Sequence, residues 1–363
     1  MIAKHCFTQE WIRKKSEELR IQDVILEKSI YALSLVEQLV EEELEFVFKG
    51  GTSLLLHLDP VRRLSIDVDI ACQEPLERVT EVLDRVILRG RFLRWEHQSD
   101  RDGENPPTRY FQLYYTSPLG SDRESKIQLD VLVEESPYSS IITREVKTSF
   151  LEIETPVSVR VPSVDCLLGD KLVAFAPKTV GILYQPKVRR TGEPGEPRPI
   201  RVMKQLFDVG ELFMEAEDIK VVEVTHRFHF NLQNSYRGGG LTWEQALDDT
   251  LDAAYLLSYM PRPNETDNEE TAFFKSGVRA LNSHLADNKK LTFNSAKQSA
   301  ARAALLAASL KAGRFERSLH ELRQVPDSSV IRTLTIEGQW ENLQRLRKLD
   351  AEAFYYWYLA SRL

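Results

Sequence analysis

The sequence predicts an α+β protein: a small mixed sheet with helices packed on it, followed by a mainly helical region. Three observations carry this. Between residues 45 and 135, short runs rich in branched and aromatic residues alternate with helical patterns and turn signals. From residue ~160 onward the apolar spacing is almost entirely helical. The length, 363 residues, suffices for two domains. We divide the chain into 1–160 and 161–363, with no internal repeat.

Residues 8–42 read as helix, with Thr8 and Asp23 as N-caps and Leu26, Ile30, Leu33, Val36 and Val40 at helical spacing. EFVFKGG reads as a short strand ending in a glycine turn, from which TSLLLHL starts a helix. SIDVDIAC, Ser65 to Cys72, alternates polar and apolar residues as a half-buried strand does. The run from Pro75 is a helix ending at Gly90. RFLRWEHQ, TRYFQLYYTS and KIQLDVLVEE are strands, the first two joined by the polar loop SDRDGENPP. In the second half, PSVDCLLGDKLVAFA is a helix. A loop rich in Pro, Gly and Arg follows, Pro186 to Arg201, and helix resumes with VMKQLFDVGELFMEA. Thr242 and Gln245 form a capping box, and an Ala-rich helix stops at Gly313.

Composition narrows the setting. Hydrophobic residues make up 42% of the chain, ordinary for a globular protein. No apolar run reaches the roughly 18 residues of a membrane span, and the N-terminus lacks a secretory pattern. Cys6, Cys72 and Cys166 are odd in number and scattered, so they form neither a disulfide framework nor a zinc spacing. A reducing, cytoplasmic location is expected. With a net charge of −7, any contact with nucleic acid must use a local basic patch.

The chemistry concentrates in FVFKGGTSLLLHLDPVRRLSIDVDI, Phe46 to Ile70. In a strand, Asp67 and Asp69 share a face. Two like charges there repel unless a divalent cation joins them, and Mg²⁺ prefers carboxylate and phosphate oxygens. Asp130, flanked by apolar residues in KIQLDVLV, is a third strand-borne carboxylate. Three such groups suit metal-assisted phosphoryl transfer. Gly50 and Gly51 let backbone amides approach a phosphate, and Thr52 and Ser53 add hydroxyls. The Walker spacing is absent. Asp-x-Asp alone is also what a solvated strand face looks like; the ordered combination is far more specific.

These residues carry a family resemblance. KGGTSL followed by RLSIDVDI resembles the signature of the AbiEii/AbiGii-type nucleotidyltransferases, toxins of type IV toxin–antitoxin and phage-defence systems with a DNA polymerase β-like catalytic fold. Asp130 matches the third carboxylate of that fold. GDKLVAF, Gly169 to Phe175, resembles the family helix that here supplies Asp170 and Lys171. KQLFD, Lys204 to Asp208, resembles its K-D-x-x-D helix, with Gln205 where an aspartate is usual. The match runs from residue ~45 to ~215, so 161–215 is expected to complete the active site. The resemblance implies Mg²⁺ or Mn²⁺ held by Asp67, Asp69 and Asp130, and an NTP contacted by Lys49, Gly50, Gly51, Thr52, Ser53, Arg63 and Lys204. Lys171 and Asp208 join the carboxylates as catalytic residues. It further implies an RNA acceptor, the 3′ end of tRNA in some related toxins, and a cognate antitoxin.

Other features stand beside these. Lys187, Arg189, Arg190, Arg198 and Arg201 form a basic loop suited to an NTP or an RNA backbone, or simply a solvated loop. His226 and His229 have a metal-like interval but no matching partners, and read as structural. The aromatic run Phe354–Tyr358 reads as core. Two other functions stay open: the same chemistry on a small-molecule or protein hydroxyl, and a non-catalytic binding protein on a decayed transferase fold.

Overall fold

The computed structural model describes residues 1–104, 106–120, 123–185, 193, 195–259, 268–285, 291–315 and 318–363. The chain forms two compact units: Met1–Ser163 with Ser283–Lys290, and Val164–Asn282 with Leu291–Leu363.

The first unit opens with two helices, α1 (Gln9–Leu19) and α2 (Asp23–Glu41), where the periodicity predicts one. Arg20 breaks them apart in a left-handed conformation (φ 52°), which a sequence normally advertises with glycine. Thr8 caps α1 by accepting the Trp11 amide. Asp23 is not an N-cap: it is the first residue of α2, and its carboxylate accepts the Ser16 hydroxyl at 2.5 Å, tying the two helices together. β1 (Val47–Lys49) leads into α3 (Gly50–Ser53) and a single 3₁₀ turn, much shorter than the helix read from TSLLLHL. β2 (Val68–Ala71), α4 (Leu76–Leu88), β3 (Arg94–His97), β4 (Gly103–Glu104), β5 (Pro107–Thr116) and β6 (Glu124–Leu132) follow. β7 (Ile141–Glu145) and β8 (Ser158–Pro162) pair as a separate two-stranded sheet.

The main sheet has the order β1-β2-β6-β5-β3, with β4 paired to β5. β2 and β6 run parallel; the other neighbours are antiparallel. Strand alternation sorts its two faces. Phe48, Val68, Ile70, Ile127, Leu129, Val131, Phe111, Leu113 and Tyr115 are buried on one side, in a core shared with Leu26, Ile30, Leu33 and Val36 of α2 and Val79, Leu83 and Val86 of α4. Tyr115 stacks on Tyr31 with centroids 3.6 Å apart, and its hydroxyl donates to buried Glu27 at 2.7 Å. The other face carries Lys49, Asp69, Asp130, Gln128, Tyr110 and Gln112. The sheet is therefore a support with an apolar back and a polar front.

The second unit is helical among its described residues: α5 (Val164–Ala174), α6 (Pro199–Glu215), α7 (Ile219–Tyr236), α8 (Trp243–Tyr259), α9 (Glu269–Leu281) and α10 (Phe293–Ala312), then the short α11 (Leu319–Leu322), α12 (Ser328–Ile331), α13 (Leu346–Leu349) and finally α14 (Ala351–Ala360). Thr242 and Gln245 exchange the bonds of the expected capping box, and Gly313 ends α10 with φ 63°. Small residues set the helix spacing. A Cβ on Gly169 of α5 would fall 2.7 Å from the Val222 carbonyl of α7, and one on Gly210 of α6 would fall 2.2 Å from the Ser299 hydroxyl of α10. Phe354, Tyr355, Tyr356 and Trp357 are buried, so the aromatic C-terminal run is core, with Trp357 donating to Ser258 at 2.8 Å. The Arg-rich stretch is shorter than expected, because α6 begins at Pro199, whose ring suits a first helical turn. All three cysteines are free and buried, Cys6 and Cys72 in the first unit and Cys166 in the second. Among the described residues no helix is long and apolar enough to cross a membrane.

Candidate active site

Three acidic residues meet on the polar front of the sheet. In the parallel pairing of β2 and β6, Asp69 is the register partner of Asp130. Paired residues point to the same face, so the two carboxylates stand side by side. Asp67 is placed differently from its sequence reading. It lies one residue before β2 and is exposed. Its charge still reaches the site. Burial raises the Asp130 carboxyl to about 7, and the charges of Asp69 and Asp67 push it the same way. Arg101 and Gln128 offset this only in part. One oxygen of Asp130, Oδ1, is buried with no hydrogen-bond partner.

The glycine turn is built around Asp69. Gly50 has φ 76°, and a Cβ there would lie 2.1 Å from Asp69 Oδ2. Glycine is required twice over, for the left-handed backbone and for the carboxylate against it. Gly51 rests on Arg63, where a Cβ would come within 2.9 Å of Nη2. Arg63 is only 8% exposed and donates to the Leu64 carbonyl at 3.2 Å, so it supports the turn from beneath. The hydroxyls of Thr52 and Ser53 are fully buried. Thr52 Oγ1 donates to the Asp67 carbonyl, and Ser53 Oγ donates to the Gly50 carbonyl at 2.9 Å. Both bonds hold the turn, and Thr52 also fixes the Asp67 backbone. Lys49 is the register partner of Asp69 on the antiparallel side and shares its face.

In the second unit, α5 and α6 bring Lys171 and Asp208 together. Their charged atoms are 4.0 Å apart, with side chains 9% and 2% exposed. Asp170, beside Lys171, faces His229 Nδ1 of α7 at 3.4 Å. The close approach of α7 at Gly169 makes that contact possible. His229 therefore lies against Asp170, beside Lys171 on α5, a placement the sequence did not reveal. His226 is a core residue, as read: it accepts the Trp243 indole N–H at 2.9 Å, and burial lowers its pKa to about 3. Gln205, the departure from the family pattern, reaches back to the Arg201 carbonyl at 3.5 Å. Lys204 is half-buried on the same helix.

The profile of a family described as nucleotidyl transferase AbiEii toxin, type IV TA system, matches residues 34–304. The chain belongs to this family. All the catalytic candidates, Asp67, Asp69, Asp130, Lys171 and Asp208, lie inside the matched span. The AbiEii assignment makes the protein a nucleotidyltransferase. Among solved structures, the chain is similar to MenT4, a nucleotidyltransferase toxin of Mycobacterium tuberculosis H37Rv. The TM-score is 0.52 at 15% identity, with 96% of this chain and 98% of that chain covered. At that identity the likeness speaks for the fold alone. No curated protein matches the chain significantly.

Nucleotidyltransferases of this kind generally use an NTP and a divalent metal, and the carboxylate group can be tested for the metal. Among the described residues no cluster of three or more His, Cys, Asp or Glu side chains is already arranged as a metal-binding group. The donor chemistry nevertheless fits a hard cation: two in-register carboxylates, a third within electrostatic reach, and a buried oxygen awaiting a partner. The set contains no thiolate or imidazole that would favour a softer metal. Of the basic loop, Lys187, Arg189 and Arg190 lie outside the described residues. Arg198 precedes α6, and Arg201 is exposed in its first turn.

A residue missed in the sequence also faces the carboxylates. Arg101 ends a single 3₁₀ turn (Ser99–Arg101) inside what reads as a plain polar loop. Its guanidinium lies 4.4 Å from the Tyr110 ring centroid and donates to Gln128 Oε1 at 2.8 Å. Tyr110 is the register partner of Asp130. Only the register brings these residues together, and nothing in SDRDGENPP announces it.

Proposed function

We propose that the enzyme transfers a nucleoside monophosphate from an NTP to the 3′ end of tRNA, acting as a toxin held in check by a cognate antitoxin. The observation that carries the catalytic part is the Asp69–Asp130 pair, two like charges in register with one buried oxygen unpartnered. Such a pair is costly in a protein that does not use it. Asp67, Asp69 and Asp130 would hold Mg²⁺ or Mn²⁺. A bound divalent ion supplies neutralisation of phosphate charge and acidification of the attacking hydroxyl.

The residues of the chain do the rest. The turn at Gly50 and Gly51 offers backbone amides to the triphosphate while Thr52, Ser53 and Arg63 keep its shape. Lys49, on the face of Asp69, gives the phosphates a positive neighbour. By family resemblance Lys171 steadies phosphate charge and Asp208 orients its ammonium, and the buried 4.0 Å pair fits that division. Lys204 is assigned to the NTP on the same ground. The acceptor oxygen forms a bond to the α-phosphorus, the bond to the bridging oxygen breaks, pyrophosphate leaves and the hydroxyl proton is released. The setting is cytoplasmic, where NTP and tRNA are available.

The test uses purified protein, Mg²⁺, each of four α-labelled NTPs and total tRNA, with an Asp67→Ala/Asp69→Ala double variant alongside. Label on tRNA, lost in the variant, is expected and names the nucleotide. Label on protein or a small molecule instead would keep the chemistry and discard the tRNA acceptor.

A further inference from the structure

The sheet order separates two sides of the carboxylate pair. Reading across its polar front, the residues are Lys49 on β1, Asp69 on β2, Asp130 on β6 and Tyr110 on β5. The glycine turn follows β1 directly and packs on Asp69. β5 lies three strand spacings from β1, roughly 14 Å at the usual separation. Phosphoryl transfer needs the attacking oxygen roughly in line with, and opposite to, the leaving group. If the leaving pyrophosphate rests at the turn beside β1, the acceptor must come in over β6 and β5.

That approach is furnished. The segment after β3 is pinned down on β5: Gln98 N donates to the Tyr110 carbonyl at 2.7 Å, and Asp102 accepts the Tyr110 amide at 3.2 Å. Asp102 also meets His97 at 2.8 Å and Arg109 at 3.5 Å. Between these anchors stands Arg101, its guanidinium set over Tyr110 and directed by Gln128. It is an exposed cation close enough to Asp130 to lower its carboxyl, in a chain of net charge −7. A guanidinium oriented in this way matches the paired oxygens of a phosphate. A phosphate on the acceptor strand would meet this exposed cation. The polar face around it, Gln128 and Gln112, is half-buried and able to hydrogen-bond a nucleotide.

Resting on the reading of the site as a nucleotidyltransferase centre, we infer that Arg101, set by Tyr110 and Gln128, grips a backbone phosphate of the acceptor strand and positions its terminal hydroxyl beside Asp130. The acceptor is then a polynucleotide, and Arg101 is a positioning residue for it, separate from the NTP contacts.

The experiment compares wild type, Arg101→Ala and Arg101→Lys in labelled-NTP transfer to total tRNA, fitting KM for NTP and for tRNA separately. Binding of fluorescent tRNA is followed against salt concentration without NTP. For Arg101→Ala, the tRNA KM is expected to rise about tenfold or more, with the NTP KM within about twofold of wild type. The slope of log affinity against log salt should fall by about one, the loss of one phosphate contact. Arg101→Lys should recover the salt slope but only part of the KM, having charge without the fork. An unchanged tRNA KM and salt slope in Arg101→Ala would overturn the inference and leave the transferase reading standing. So would a rise confined to the NTP KM. Wild-type protein that labels a small molecule or a protein but no RNA would overturn both this inference and the tRNA acceptor.

Discussion

Two charge clusters, one in each unit, solve opposite problems. In the first unit Asp69 and Asp130 put like charges side by side, with Asp67 adding to the repulsion. In the second, Lys171 and Asp208 put opposite charges 4.0 Å apart in near-complete burial. The first arrangement is compensated only in part, by Arg101 and Lys49; the second pairs its two charges within the protein. A fold that stores partly compensated charge in one place and paired charge in another distinguishes where a ligand must enter from where a side chain must be held.

The largest effect should come from the partly compensated side. Asp69→Ala is expected to lower transfer by about a thousandfold or more, since it removes charge-stabilising chemistry worth several kcal/mol. Asp130→Asn should do likewise while raising the melting midpoint of the first unit at pH 8, because it deletes a charge that burial and its neighbours disfavour. Activity assays with parallel calorimetry check both. A lowered midpoint in Asp130→Asn would mean that the carboxylate is structurally satisfied, and the contrast would collapse.

The paired side should respond differently. Lys171→Met leaves Asp208 buried without its cation, so both activity and stability should fall, stability by about 3 kcal/mol. The double variant Lys171→Met/Asp208→Leu should recover much of the stability and none of the activity. Denaturant melts of the three proteins separate these outcomes.

Gly50→Ala sharpens the comparison within the first unit. The new methyl group must displace the Asp69 carboxylate, and the backbone at φ 76° resists it. Transfer should drop by about ten- to a hundredfold, a cost of about 1.4–2.7 kcal/mol in the barrier, and KM for NTP should rise. Gly90→Ala is the control: Gly90 also has positive φ, but an added methyl group there would meet nothing within 4 Å.

The smallest effect is a pH dependence in the second unit. The folded pKa of His226, about 3, lies below the 6.5 of an exposed histidine, so the unfolded chain takes up the proton first. Stability from this group is full above pH 6.5 and declines as pH falls toward 3. Between pH 6.5 and 5 the loss should be about 2 kcal/mol, and His226→Gln should flatten it. An equal acid slope in the variant would assign the effect to other groups.

The parts legible in the sequence were those written in local chemistry. The glycine turn, Asp69, Asp130 and the capping box at Thr242 announce themselves by residue type and spacing, and the polar front follows from alternation. What depended on pairing was hidden. Asp67 falls outside β2, because where a strand begins is set by its neighbours and not by its own alternation. The break at Arg20 uses a residue that rarely adopts left-handed backbone. Arg101 and His229 reach their places only through register and through the close approach at Gly169. The hydroxyls of Thr52 and Ser53 look like phosphate ligands in the sequence, yet they are given to the turn itself.

The three buried thiols give the protein its own unfolding reporters. Burial raises the pKa of Cys6 and Cys72, so in the native state both are shielded and poorly ionised. Each becomes reactive only when its surroundings open. Since two lie in one unit and one in the other, the order in which they take up a thiol reagent under mild denaturant tells which half of the molecule lets go first. No engineered cysteine has to be introduced to learn it.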